Sequence, residues 1–292
     1  MKKLKKYIIR IVKIFPKILI GDIYIVKMNN VCEFCNSNES ELYIKSDLVS
    51  YNKCLNCGLI YQFPVITQKE INAIYDDNYF EYEIANQENF FKLIRLALKD
   101  IEFENIKKEF PNKNILDIGC ATGMTLNYFK SEGYDTYGVE ICSSSAEYAR
   151  KNYNLIVYEK SLIDIGFESD FFSFIHFSHV IEHVPNPAET LKEVYRILAK
   201  GGYLAITTPN ADGIFAKKYK SKWRAVMPQH LWLFSKKTLS QYMKDIGFNI
   251  IKDFSWGSIP IEKNTNKFIK SFFDKYVKIF NKGDVMLFLC KK

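Results

Sequence analysis

Short apolar segments alternate with amphipathic helices from residue 114 onwards, and this alternation limits the possible folds of the chain more than any other feature. Candidate strands lie at 114–118, 135–140, 155–158, 173–178 and 203–208. Helices are predicted between them at about 123–131, 144–152 and 187–199, and the tail adds a helix at 236–246, a strand at 248–254, a basic helix at 264–281 and a strand at 285–290. Such alternation is typical of a mostly parallel sheet with helices on both faces. We therefore predict an α/β fold with a seven-stranded sheet.

The chain divides into three regions by composition. Residues 1–30 form a basic amphipathic segment, residues 31–80 contain two cysteine pairs and a tyrosine-rich link, and residues 81–292 carry the α/β pattern. A long helix is predicted at 86–110, because apolar residues recur there every three or four positions. Hydrophobic residues make up 48% of the 292 residues, which is enough to build a sizeable core.

Residues 2–15 are predicted to form an amphipathic helix, with apolar side chains on one face and most of the lysines on the other. Such a helix either anchors a protein peripherally to a membrane or packs on the protein's own surface. Charged residues interrupt the apolar stretch at residues 7–26, so we expect no membrane-spanning segment and no signal peptide. We expect a cytoplasmic protein, with peripheral contact at the inner membrane face as an alternative.

Seven cysteines are present, and four of them form two Cys-x-x-Cys pairs: Cys32 with Cys35, and Cys54 with Cys57. Each pair is a tight turn that can bring two thiolates to one ion, and two such turns complete a tetrahedral site. The spacing predicts a structural zinc site in a reducing compartment. Iron bound by four thiolates, free thiols and disulfides are the alternatives.

Residues 115–123 read as a short apolar strand and a turn of small residues that leads into a helix. Small residues let the backbone approach a ligand closely, and the helix N-terminus offers free N–H groups to it. Glu140 ends the next strand, where doubly wound folds place an acidic residue that accepts hydrogen bonds from ribose hydroxyls. Without a ligand, the same features would be a tight turn and a solvated carboxylate.

At these motifs the sequence resembles class I S-adenosylmethionine (SAM)-dependent methyltransferases. The first motif of that family matches at four positions, with alanine in place of the middle glycine: Asp117, Gly119, Ala121 and Gly123. Residues 177–184 (FSHVIEHV) look like the fourth-strand motif of one branch, and 198–210 and 228–235 look like its next strand and loop. The resemblance covers about residues 112–255. It implies a Rossmann-like sheet, preceded here by a small zinc-ribbon-like module.

The resemblance implies that SAM binds along residues 119–123 and that Glu140 holds its ribose. It also assigns Asp117 and His179 to the cofactor site. Asp164 is the nearest candidate for a contact to adenine, and it could equally be a turn residue.

Methyl transfer requires alignment of the acceptor and, where needed, its deprotonation. His183 is the first candidate for the general base, because it follows the fourth strand at the sheet edge where ligands bind. A structural histidine bonded to the loop backbone is the alternative. His230 is a weaker candidate, and His176 is expected to be structural.

Residues 215–224 (FAKKYKSKWR) combine five basic residues with Tyr219 and Trp223. This composition suits a phosphate-bearing small molecule or single-stranded RNA, and a solvated loop is the third alternative. The cysteine module resembles that of some sugar methyltransferases, which favours a nucleotide- or lipid-linked sugar in surface polysaccharide synthesis. An RNA methyltransferase that uses the module to grip RNA is the alternative. Nucleic acid is the less favoured partner, because the module itself is not basic.

Overall fold

The computed structural model of the protein describes residues 31–64, 77–257 and 267–292. The predicted helix at 2–15 lies outside the described residues, as do residues 65–76 of the predicted link and residues 258–266 of the tail. Among the described residues, no helix combines the length and the apolar character needed to cross a membrane.

Helices and strands alternate along most of the described chain. The helices are α1 (Asp77–Asp100), α2 (Phe103–Ile106), α3 (Met124–Ser131), α4 (Ser143–Tyr153), α5 (Leu162–Ile165), α6 (Pro187–Ile197), α7 (Ile214–Tyr219), α8 (Lys236–Ile246) and α9 (Lys267–Ile279). The strands are β1 (Ser40–Lys45), β2 (Ser50–Cys54), β3 (Ile60–Gln62), β4 (Asn114–Ile118), β5 (Asp135–Val139), β6 (Ile156–Tyr158), β7 (Phe172–Ser178), β8 (Leu198–Pro209), β9 (Trp232–Leu233), β10 (Asn249–Trp256) and β11 (Val285–Lys291).

The larger sheet has seven strands in the order β10-β11-β8-β7-β4-β5-β6, which confirms the predicted fold. Strands β4 to β8 pair in parallel, and β11 and β10 are added in antiparallel orientation at one edge. The direction of winding reverses between β4 and β7. In such sheets ligands bind at the carboxyl ends of the strands beside this reversal. The turn after β4 and the loop after β7 therefore meet at the expected ligand-binding edge.

Strand β7 lies in the middle of the core, and all of its residues are buried except the last, Ser178. Helix α6 covers one face of the sheet with buried side chains at every third position, from Ala188 to Ile197. Its predicted start is confirmed, because the Asn186 side chain accepts a hydrogen bond from the backbone N–H of Glu189. The predicted end at about residue 199 is two residues late. Helix α6 ends at Ile197, and β8 begins at once and runs through Gly201 and Gly202.

The predicted helix at 86–110 is wrong at both ends. Helix α1 begins at Asp77, because aromatic residues of the link join it and pack; Phe80 contacts Tyr148 of α4 with ring centroids 5.9 Å apart. The helix ends at Asp100, and Glu102 takes a left-handed backbone conformation with a φ of 56°. This conformation interrupts a right-handed helix, so α2 starts as a separate turn.

A second, four-stranded antiparallel sheet has the order β1-β2-β3-β9. Its first three strands belong to the cysteine region, whereas β9 comes from the loop that follows β8 and α7. The buried Tyr51 of β2 strengthens this junction, because its hydroxyl lies 2.8 Å from the carbonyl oxygen of His230 and 3.0 Å from that of Met227. The cysteine region is therefore docked on the loop that carries His230.

Candidate active site

The turn between β4 and α3 requires glycine at two positions. Gly119 has a φ of 72°, and a Cβ atom there would lie 2.2 Å from Cγ2 of Val180. Gly123 has a φ of 83°, and its Cβ would lie 2.8 Å from that of Ala149. Positive φ and close contact both exclude larger side chains. The contact with Val180 also means that the turn after β4 packs against the loop after β7.

Glu140 follows β5, is buried, and supports this turn. One carboxylate oxygen accepts a hydrogen bond from the backbone N–H of Ala121 at 2.9 Å, and the other accepts from Cys142 at 2.8 Å. Ala121 itself has a φ of 45°, so the hydrogen bond that its N–H donates to Glu140 helps to hold a strained backbone. Burial raises the pKa of Glu140, whereas the backbone N–H donors lower it. A carboxylate has about four acceptor positions, and the backbone N–H of Ile141 also bonds to Glu140, so acceptor capacity for about one more donor remains for a ligand.

Two of the other predicted cofactor residues have contacts outside this turn. Asp117 is buried in β4, and its carboxylate accepts a hydrogen bond from Nδ1 of His176 on β7 at 2.6 Å. Asp164 is exposed in the first turn of α5, where its carboxylate accepts a hydrogen bond from Ser161. These contacts stabilise the sheet and a short helix respectively, and the roles of both residues towards a cofactor stay predictions.

Sequence reasoning missed Glu83, which α1 brings close to Glu140. Burial, and then the charge of Glu140, raise the pKa of Glu83 to about 7, and a hydrogen bond with Tyr79 opposes the shift. Tyr79 belongs to the tyrosine-rich stretch, which was the available signal in the sequence. Helix α1 therefore adds a second carboxyl group to the predicted cofactor site.

Glu182 was also missed, and it is the most buried acid of the loop after β7. Its carboxylate accepts hydrogen bonds from Nδ1 of His179 at 3.2 Å and from the hydroxyl of Thr208 at 3.0 Å. Burial favours the neutral acid, but the bond from His179 and the neighbouring imidazoles of His183 and His230 lower the pKa to about 2. Glu182 is therefore an ionised carboxylate inside the protein.

His183 and His230 lie together beside Glu182, with ring centroids 4.7 Å apart. Nδ1 of His183 donates to the carbonyl oxygen of Gln229 at 2.8 Å, and Nδ1 of His230 donates to that of Ala225 at 2.9 Å. A carbonyl oxygen only accepts, so both bonds fix the tautomer and leave Nε2 with its lone pair. Burial lowers the pKa of His183, and it lowers that of His230 to about 3. His183, which is only partly buried, is therefore the better proton acceptor of the two.

Within the described part of the chain, two groups of side chains have the geometry to hold a metal ion. The four sulfur atoms of the cysteine pairs lie within 4.8 Å of one another, and two of the Sγ–Sγ distances are 3.4 Å and 3.5 Å. Zinc–sulfur bonds of about 2.3 Å in a tetrahedron give sulfur separations of roughly 3.8 Å, so the group fits such an ion. Glu182, His183 and His230 also offer one ligand atom each within 4.8 Å of one another.

The basic stretch at 215–224 is only partly available to a ligand. Trp223 is buried, and its indole N–H donates to Asp284 at 3.3 Å, so it cannot stack on a nucleic acid base. Lys217 instead lines a cavity of about 420 Å³ together with lysines from α8 and from the segment before β11. The lining residues are Asn210, Asp212, Lys217, Lys236, Lys237, Ser240, Asn281 and Lys282. Four lysines against one aspartate make this cavity positively charged.

Comparisons with known proteins agree with this architecture. A family model described as a methyltransferase domain matches residues 86–253. The ubiquinone biosynthesis O-methyltransferase of Pelagibacter ubique is 26% identical over 62% of this chain and 81% of its own length. The demethylmenaquinone methyltransferase of Listeria welshimeri is 21% identical over 69% of this chain and 82% of its own length.

Among solved structures, a SAM-dependent methyltransferase from Archaeoglobus fulgidus superimposes with a TM-score of 0.53. The match covers 73% of this chain and 99% of that one, at 20% sequence identity. At this level of identity the likeness shows the fold alone.

The raised pKa of Glu83 predicts a pH-dependent effect of the substitution Glu83→Gln. A folded-state pKa of about 7, above the ordinary 4.5, means that the folded protein binds an extra proton between these pH values. Wild-type stability contributed by this group is therefore present at low pH and is lost as the pH rises through 7. The variant lacks this titration, so its stability relative to wild type should rise by roughly 1–3 kcal/mol between pH 5 and pH 8.

Urea unfolding at the two pH values measures this difference. Glu88→Gln is the matched control, because Glu88 is an exposed acid on the same helix. The same pH dependence in wild type and in both variants would contradict a shifted Glu83.

Proposed function

The chain belongs to the family defined by this methyltransferase domain, and from this premise we propose the substrate and the catalytic groups. The protein is a SAM-dependent methyltransferase. We propose that its acceptor is a small molecule that carries phosphate, such as a nucleotide- or lipid-linked sugar, and that His183 removes the acceptor's proton.

The observation that carries this proposal is the state of His183. Its Nδ1–H is bonded to the carbonyl of Gln229, its lowered pKa keeps the ring neutral near pH 7, and its Nε2 retains a lone pair. The loop that holds it packs on the glycine turn through Val180. A neutral imidazole beside the cofactor turn, at the carboxyl edge of the sheet, is suited to accept a proton from a bound acceptor.

The described residues fit SAM at the turn and at Glu140. The turn of residues 119–123 has no room for a Cβ atom at Gly119 or Gly123, and its small residues let the backbone approach a ligand closely. Glu140 accepts one hydrogen bond from this turn and others from the backbone of its own loop, and its remaining acceptor capacity suits the ribose hydroxyls. SAM supplies an activated methyl group when it is bound. The protein's own contribution is to hold both reactants in line and to take up the proton.

A phosphate-bearing acceptor is supported by the lysine-lined cavity. Lys217 is paired with Asp212 at 3.2 Å, and Lys236 is paired with Asp253. Lys237 and Lys282 are exposed at the same cavity. Ammonium groups arranged around a cavity suit the charge of a phosphate or diphosphate. The buried position of Trp223 argues against the alternative of single-stranded RNA, which needs aromatic rings for stacking.

The names of the relatives favour a second candidate acceptor. Two of them are a ubiquinone biosynthesis O-methyltransferase and a demethylmenaquinone methyltransferase. A quinone or its precursor is therefore the acceptor class to compare with the sugar.

The four cysteines are proposed to hold one structural zinc ion. A site closed by four thiolates leaves no position for substrate, so the ion would stabilise the fold. Thr238 of α8 donates a hydrogen bond to the carbonyl of Cys57 at 3.1 Å, and Phe34 stacks on Tyr242 with ring centroids 3.9 Å apart. Loss of the ion would therefore loosen the docking of the module on α8.

Substitution of Glu140 tests the cofactor site. Glu140→Gln and Glu140→Ala should weaken SAM binding by about 1–3 kcal/mol, through the loss of charge-assisted bonds to ribose. Calorimetric titration with SAM measures the effect, and thermal unfolding shows whether the turn remains folded. Asp164→Asn serves for comparison, since it tests the other acidic candidate. Unchanged SAM affinity in a folded Glu140→Gln protein would refute the assignment.

Substitution of His183 tests the base. His183→Ala should lower kcat by about 10²–10⁴-fold and should remove the limb of the pH–rate profile that lies below 6.5, with SAM affinity near wild type. Full activity in this variant would show that His183 is a structural residue and not the base. If methyl transfer instead requires an added divalent cation and is also lost in His230→Ala, the acceptor is activated by a cation bound to Glu182, His183 and His230.

The acceptor class is tested by offering nucleotide-sugars, lipid-linked sugars, quinone precursors and RNA to the same preparation with labelled SAM. Lys237→Ala/Lys282→Ala should raise KM for a phosphate-bearing acceptor, most at low salt, with kcat near wild type. Lys192→Ala/Lys200→Ala is the control, because these lysines do not line the cavity. Methylation of RNA alone, or of a quinone precursor alone, would overturn the sugar proposal.

Elemental analysis tests the metal. Protein purified without chelator should contain about one zinc, and no iron, per chain. Cys54→Ala should lose the metal and unfold at a lower temperature, whereas Cys290→Ala, which alters a buried cysteine of β11, should retain it. A metal-free wild-type protein would contradict the proposal.

A further inference from the structure

Helix α1 carries two polar side chains on the face that packs against the rest of the domain. Phe80 and Phe91 of this face contact tyrosines of α4 and α3 respectively, each with ring centroids 5.9 Å apart. At 100° per residue, Glu83 and Gln87 share an arc of about 80° with these two phenylalanines. The polar pair therefore faces α3 and α4, the helices that follow the turn of residues 119–123 and Glu140.

Two buried polar atoms of α1 and α4 have no hydrogen-bond partner among the described residues: the amide oxygen of Gln87 and the hydroxyl oxygen of Ser145. Ser145 is fully buried and precedes Ala149 by one helical turn, so both lie on the same side of α4. A Cβ atom on Gly123 would lie 2.8 Å from that of Ala149, so this side of α4 faces the glycine turn. Buried polar atoms are nearly always paired, so the two unpaired atoms indicate a ligand that supplies their partners.

Glu83 is a partly buried carboxyl group that lacks a cationic partner among the described residues. Burial and the charge of Glu140 raise its pKa to about 7, a hydrogen bond with Tyr79 opposes this shift, and no lysine or arginine contributes. Glu140 itself keeps acceptor capacity for about one more donor. Two neighbouring carboxyl groups and an unpaired amide oxygen are all acceptors. The group that fits them carries several N–H donors and a positive charge.

We propose that Glu83 and Gln87 bind the α-ammonium group of SAM. This group offers three N–H donors on one positive charge, which matches the carboxylate of Glu83 and the amide oxygen of Gln87. The inference rests on the proposed SAM site at Glu140 and extends it to α1. Helix α1 then covers the amino-acid end of the cofactor, while Glu140 holds its ribose.

Calorimetric titrations of the full chain with three cofactor analogues test this inference. S-adenosylhomocysteine carries the ammonium group and a carboxylate, its decarboxylated analogue keeps only the ammonium group, and methylthioadenosine lacks both. At about pH 8, above the pKa of Glu83, Glu83→Gln should weaken binding of the first two about tenfold or more, because a charge-assisted hydrogen bond is lost. Binding of methylthioadenosine should stay near wild type.

Two further variants make the comparison specific. Gln87→Met replaces the amide by an apolar group of similar length, and it should weaken only the two ligands with an ammonium group, by a smaller factor of roughly threefold. Glu88→Gln alters an exposed acid of the same helix and should change the affinity for none of the three. Thermal unfolding shows that each variant is folded.

Two results would overturn the inference. An equal loss of affinity for all three analogues in Glu83→Gln would show that Glu83 supports the shape of the site and does not bind the ammonium group. Unchanged affinity for all three would leave an ammonium group of the acceptor as the ligand of Glu83.

The proposed ribose site at Glu140 is judged separately in the same titrations. Because all three analogues carry the ribose, Glu140→Gln should weaken all of them. If it does so while Glu83→Gln weakens none, the ribose site stands and the inference about α1 fails. If neither substitution weakens any analogue, both fail.

Discussion

The buried carboxylate of Glu182 is the interaction on which the arrangement of the active site depends. An ionised group inside a protein is stable only when donors surround it, and here they come from separate parts of the chain. His179 belongs to the loop after β7, and Thr208 belongs to β8. The backbone carbonyl of Glu182 also accepts the N–H groups of Leu231 and Trp232. One residue thus joins two central strands to the loop that carries His230 and β9.

The same loop explains why a cysteine module and a methyltransferase domain form one structure. Strand β9 pairs with β3 of the module, and Tyr51 bonds to the backbone carbonyls of the loop. The carbonyl of Gln229 in this loop fixes the tautomer of His183. The module therefore supports the loop whose Gln229 carbonyl orients the proposed base, His183. This arrangement gives the module a structural task without a direct contact to substrate.

Two features outside the cofactor turn belong to the proposed site. Helix α1 adds Glu83 beside Glu140, so the proposed cofactor site has two neighbouring carboxyl groups. The lysine-lined cavity is formed by the segment after β8, the start of α8 and the residues between α9 and β11.

The sequence alone determined the central architecture. Strand β4 and helix α8 were predicted at their observed bounds, because uninterrupted apolar residues and a regular helical period are local signals. The glycine turn was also predicted from local sequence, because the backbone conformation at Gly119 and Gly123 depends on residue type. Glu140 was predicted from its position at the end of the next strand. The four cysteines were recognised by spacing, and the structure brings their sulfur atoms together.

The tertiary structure decided what depends on distant neighbours. Neither the burial of Glu182 nor its bond with Thr208 has a local signature, because the two residues are 26 positions apart. Strand β9 has two residues, too few for a periodic pattern, and it exists because β3 supplies its partner. Trp223 lies in a stretch predicted either to bind a ligand or to be a solvated loop, and it is buried instead, where Asp284, 61 positions away, accepts its N–H. Local patterns fix backbone conformation, whereas the partners of a side chain are set by how the chain packs.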